Sequence, residues 1–117
     1  MRAKMPEDYT EAAQGSMHPL GSGLNVLSTP RGITERDRFD TLRSDLIFCN
    51  LLGTNKISAG SMIEFGWADA LRIPIILCME EEGNVHDHAM VRAMASWIVP
   101  TLEEGIMVAR AVLTPGI

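Results

Sequence analysis

Glu64 is the side chain of this sequence best placed to do chemistry. It opens an amphipathic segment that follows a short apolar run, so its carboxylate is expected in the first turn of a helix. The positive end of the helix dipole would keep it ionised there. In α/β sheets that position lies near the carboxyl end of the preceding strand, where ligands bind. An ionised carboxylate can attack a sugar anomeric carbon as a nucleophile. A second reading stands beside it: Ser61-Met62-Ile63-Glu64 fits a capping box, in which Glu satisfies a backbone donor. Thr101-Leu102-Glu103-Glu104 fits the same pattern. Asp37 reads either as a proton donor toward a leaving group or as a solvated acid among Glu35, Arg36 and Arg38. Asp45 is expected to cap or end the helix before it.

Other groups gather around Glu64 in the chain. Ser58, Ala59, Gly60 and Ser61 lead into the helix, and small residues with open amides there suit an anion. An ordinary strand-to-helix turn explains them equally well. The G-x-x-x-x-G-K-[ST] pattern is absent, which argues against a triphosphate loop. His86-Asp87-His88 lacks a third ligand cluster, so it reads as an exposed loop or as one His touching an anion. Arg92 is a second cation or a surface ion pair.

The elements that must position these residues alternate. Asp45–Asn50 and Ile73–Met79 are apolar runs suited to strands buried on both faces. Asn50 ends the first at the point where a ligand is expected. Helices are predicted over about 34–43, 61–71, 89–96 and 101–113, with a short strand at Trp97–Val99. Ile33, Phe39 and Leu42 should form the buried face of the first, and Ile63, Trp67, Ala68 and Leu71 that of the second. Met90, Met94 and Met107 read as core filling. Earlier in the chain, Met5–Gln14 suits a short helix, the stretch from Gly15 to Gly23 a loop, and Leu24–Leu27 a short strand closed by Pro30. Alternating strands and helices imply a parallel sheet with helices on both faces.

The 117 residues suffice for one domain with its own core, of which residues 1–25 are poorly patterned. A net charge of −5 removes the footprint of a nucleic-acid binder while leaving room for a small anionic ligand. Cys49 and Cys78 sit in apolar runs and are expected to be free thiols. No signal-peptide pattern or membrane-length apolar run is present, so a cytoplasmic protein away from membranes is the expectation.

The order of motifs resembles the nucleoside 2-deoxyribosyltransferase family. The resemblance rests on Ser44-Asp45-Leu46-Ile47-Phe48-Cys49-Asn50, then Ser58-Ala59-Gly60-Ser61-Met62-Ile63-Glu64-Phe65-Gly66-Trp67-Ala68, then Ile73-Pro74-Ile75-Ile76, and spans roughly 26–113. It implies a flavodoxin-like doubly wound sheet, a homodimer or higher homo-oligomer, and a small nucleoside or nucleotide as partner. It implies no cofactor and no metal. Glu64 matches the family nucleophile and Asp37 the aspartate that assists near base and sugar. Ser58 takes a position where related 2′-deoxynucleoside 5′-phosphate N-hydrolases bind phosphate, with Gly60 and Ser61 beside it. His88-Ala89-Met90-Val91-Arg92 resembles the segment that reaches a neighbouring subunit's phosphate, so His88 is a second expected contact. The chain departs from the pattern at its front, where the usual first strand is missing before Tyr9. A nucleotide-binding module without turnover is the alternative expectation.

Overall fold

The computed structural model describes residues 21–116. The expected Met5–Gln14 helix, the start of the Gly15–Gly23 loop and the front segment in which the sequence shows no first strand lie outside them. The chain divides into two compact units, residues 2–43 and the segment from residue 44 onward.

In the first unit a 3-10 helix, Gly21–Ser28, precedes α1, Pro30–Leu42. The expected strand at Leu24–Leu27 is therefore wrong. The Ser28 and Thr29 hydroxyls donate back to the Asn25 and Val26 carbonyls at 2.8 and 2.9 Å, and such local bonds favour turns over extended chain. Thr29 also N-caps α1, its Oγ1 accepting the Gly32 amide at 2.9 Å. Pro30 opens the helix, where its missing N–H costs nothing, so α1 starts before the expected Thr34. A Cβ at position 32 would run into the Val26 carbonyl, so only Gly32 allows this approach. The expected apolar face is also out of phase: Phe39 and Leu42 are exposed, and Asp40 and Thr41 are buried. Asp40 accepts from Arg43 at 2.6 Å, and the Arg43 guanidinium lies 4.7 Å from the Phe39 ring centre.

The second unit carries β1 (Ile47–Asn50), α2 (Ala59–Ala70), β2 (Ile75–Cys78), α3 (Ala89–Met94), β3 (Trp97–Val99) and α4 (Leu102–Leu113). The three strands form a parallel sheet in the order β1-β2-β3, with Ile47 opposite Ile75 and Cys78 opposite Val99. The α/β class expected from the alternation is thus present. Successive strand side chains point to opposite faces. On one face Ile47, Ile75 and Leu77 cluster with Phe65 and Ala68 of α2 and Val91 of α3. On the other, α4 presses Gly105 onto the sheet: a Cβ there would lie 2.5 Å from Cys78 Sγ and 3.0 Å from Phe48 Cζ. Helices therefore cover both faces. Cys49 packs against the first face and Cys78 against the second; both are free thiols, and burial raises the Cys78 pKa.

α2 ends in a Schellman turn. Arg72 takes the left-handed conformation (φ 61°), its amide donates to Asp69 O at 3.1 Å, and the Ile73 amide reaches Ala68 O at 2.9 Å. The expected stripe of α2 is rotated. Ile63 and Leu71 are exposed, whereas Ser61, Glu64, Phe65 and Ala68 are buried. Met94 packs against the core, but Met90 and Met107 are exposed and fill nothing. No helix among the described residues is long and apolar enough to cross a membrane.

Candidate functional site

Parallel strands bring their carboxyl ends to one side of the sheet, and the loops at 51–58 and 79–88 both leave from that side. Asn50 lies where β1 ends, and its Oδ1 accepts the Leu52 amide at 3.1 Å, closing a local turn. Ser58 is the N-cap of α2, extended at φ −91°, ψ 96°. Its Oγ accepts the Ser61 amide at 3.4 Å and donates to Ser61 Oγ at 2.8 Å. The backbone N–H groups of Ala59 and Gly60 have no acceptor among the described residues, as the first turn of a helix leaves them. A Cβ on Gly60 would meet nothing within 4 Å, so open space lies beside that turn.

Because α2 begins at Ala59, Glu64 lies in its second turn and not its first. The capping-box reading of Glu64 is overturned for the same reason. The residue three past the cap is Ser61, and Ser58 satisfies it. Glu64 is instead a buried carboxylate, 7% exposed, flanked in sequence by the core residue Phe65. At the second pattern only the N-cap half forms: Thr101 Oγ1 accepts the Glu104 amide at 3.1 Å, while Glu104 Oε2 accepts the Thr101 hydroxyl at 3.0 Å in place of the backbone N–H of a full box. Asp37 is half-buried on α1 in the other compact unit, where its carbonyl accepts the Thr41 hydroxyl at 2.9 Å.

His88 N-caps the short helix α3, its Nδ1 accepting the Met90 amide at 3.0 Å. Arg92 is an ion-pair partner, as one reading had it. Its Nε and Nη2 donate to the two carboxylate oxygens of Asp87 at 2.6 and 2.9 Å, and these bonds hold Asp87 below the ordinary aspartate range. No group of three metal-ligating residues occurs among the described residues.

The sequence-based reading missed a polar network that joins the two loops, and it read the segment holding His86 as an exposed loop or as one His touching an anion. His86 is 3% exposed and Asn84 8%. The Ser58 amide donates to His86 Nε2 at 2.8 Å. Asn84 Oδ1 accepts the His86 amide at 2.8 Å and faces His86 Nδ1 at 3.0 Å. Asn84 Nδ2 donates to Leu51 O and to Glu80 Oε1, both at 2.8 Å. Glu80 Oε2 accepts the Gly53 amide, also at 2.8 Å. Donation from Asn84 and then from Gly53 lowers the Glu80 pKa. The one cue in the sequence is an Asn and a His two residues apart in an otherwise acidic loop; their partners lie about thirty residues away.

Thus Ser58 and Ser61 meet directly, and the Ser58 loop is tied to the segment that runs into His88. Asn50 and Gly60 lie at the same end of the sheet by topology. Comparison with protein-family models, with curated proteins and with solved structures gives no match.

Proposed function

We propose that this protein cleaves or transfers at the N-glycosidic bond of a (deoxy)nucleoside or nucleoside 5′-monophosphate. Glu64 carries the reading. It is a buried carboxylate on the helix that starts at the carboxyl end of β1, and buried carboxylates cluster at functional sites. In the reaction a Glu64 oxygen bonds to C1′ as the C1′–N bond breaks, and the base leaves with a proton from water. Water, or a second base, then takes the sugar from Glu64. Ser58, Ser61 and the open Gly60 amide are the proposed sugar or phosphate cradle, with His88 and Asn50 beside it. The reaction calls on no metal and no cofactor. The three-stranded parallel sheet with helices on both faces is compatible with a flavodoxin-like fold. Exposed Ile63 on α2, Leu71 at its C-cap, and Ile106 and Met107 on α4 support a homodimer or higher homo-oligomer.

Purified protein incubated with deoxynucleosides and nucleoside 5′-monophosphates should release free base. Glu64→Gln should lower that rate by about 10⁴-fold or more. No release from either class overturns the enzymatic reading. A second reading, a nucleotide-binding module without turnover, is favoured by one observation. Asn50 Oδ1, Ser58 Oγ and His88 Nδ1 are already engaged by local backbone amides. Calorimetric binding of nucleotides without base release would select it.

A further inference from the structure

We propose that His86 is a positioning residue whose Nε2 lone pair holds the Ser58 amide and so sets the first turn of α2 against a substrate phosphate. The inference rests on the nucleotide reading above and adds the residue that shapes its phosphate side.

The hydrogen bonds assign every proton in the network. The Thr54 hydroxyl donates to Leu51 O at 2.8 Å, so toward His86 Nδ1, 3.3 Å away, its oxygen can only accept. Asn84 Oδ1 already accepts the His86 backbone N–H, and Asn84 Nδ2 has two acceptors, so the amide stands one way round. Both neighbours of Nδ1 are thus acceptors, and Nδ1 carries the hydrogen. Nε2 is then a bare acceptor, which the Ser58 N–H requires. The tautomer is fixed from both sides of the ring.

This arrangement divides the donors at the start of α2. Ser58 N–H goes to His86, and Ser61 N–H goes to Ser58 Oγ. Ala59 N–H and Gly60 N–H are left without an acceptor among the described residues. Without the imidazole, the Ser58 amide loses its acceptor and the loop at 51–58 loses the tie that fixes where those two amides and the Ser58 hydroxyl stand. The imidazole itself is 3% exposed, so it acts through Ser58 and not by touching ligand.

The test compares phosphorylated and unphosphorylated substrates in the full chain. His86→Gln retains an acceptor near the Nε2 position, whereas His86→Leu removes it. His86→Leu should raise KM for a nucleoside 5′-monophosphate about tenfold, the size of one lost hydrogen bond. Its kcat, and its KM for the matching nucleoside, should change by less than about threefold, and His86→Gln should restore most of the loss. Should His86→Leu fail to fold, Asn84→Leu frees the ring from its Nδ1 side and should give the same split more weakly. A ¹⁵N–¹⁵N coupling across the hydrogen bond between Ser58 N and His86 Nε2 reports the contact directly. Equal changes for both substrates, no change for either, or no coupling overturns the role of His86 alone. Absence of both nucleotide binding and base release in the unmodified protein overturns the nucleotide reading and takes this inference with it.

Discussion

Among the described residues, the side-chain hydrogen bonds of the two compact units span different distances along the chain. In residues 21–43 the described side-chain hydrogen bonds span three or four residues, as in Thr29 to Gly32, Arg38 to Glu35 and Arg43 to Asp40. Beyond residue 44 the decisive bonds span far more. Gly53 reaches Glu80, Ser58 reaches His86, and Leu51 accepts from Asn84. The second unit also has the parallel sheet, whose ladder is long-range by construction. Local bonds define helices one at a time, whereas long-range bonds define the relative positions of loops. A site that must hold a small ligand needs the second kind, and the proposed site sits where those bonds converge.

Phe65→Ala tests the long-range side most severely. Phe65 is 1% exposed between α2 and the sheet, and its loss should cost the second unit about 3–5 kcal/mol by denaturant unfolding. A cost under about 1 kcal/mol would mean that the sheet face is loosely packed. Thr29→Ala tests the local side. Removing this N-cap should cost about 1 kcal/mol and raise amide exchange in the first turn of α1, with the sheet amides unmoved. Exchange that rises equally in both units would erase the contrast drawn here.

The smallest effect concerns pH. Hydrogen bonds from Asn84 and Gly53 depress the Glu80 pKa below its ordinary value in the folded protein. Its contribution is therefore present above the unfolded glutamate value and is lost as pH falls through the lower folded value. The Gly53 amide resonance should follow that loss in an acid titration, and Glu80→Gln should flatten the response. A Gly53 resonance that ignores acidification in the unmodified protein would remove Glu80 from the tie.

Much of the sheet was legible in the sequence. Apolar runs of the right length marked β1 and β2, and Trp97–Val99 was read with its observed bounds. Helix phases were less legible. Ile63 and Leu71 looked like a buried stripe, yet the helix turns Ser61 and Glu64 inward, against their polarity. Pro30 reads as closing a strand at Leu24–Leu27, yet proline also opens helices, and the Thr29 cap makes it do so here. At the candidate site, Ser58 and Gly60 stand out in the chain as a small-residue turn and Glu64 through a capping pattern, whose cap the structure moves three positions earlier to Ser58. Asn84, His86 and Glu80 were not found, because their roles depend on partners 27 to 33 residues distant, which spacing does not encode.

The Schellman turn after α2 has a consequence for chain length. Between Ala68 and Ile75 the path allows no slack: Arg72 and Ile73 close two bonds back onto the helix, and the Pro74 carbonyl already accepts the Ile47 amide. This turn therefore locks a period of 3.6 residues to a period of two. One inserted residue would slide β2 by a step and exchange Ile75 and Leu77 with Ile76 and Cys78 across the sheet. The bulk of Leu77 would then stand where α4 comes within reach of Cys78, at a helix that leaves no room even for a Cβ on residue 105. Length variation in this protein should accordingly be refused at the turn between α2 and β2.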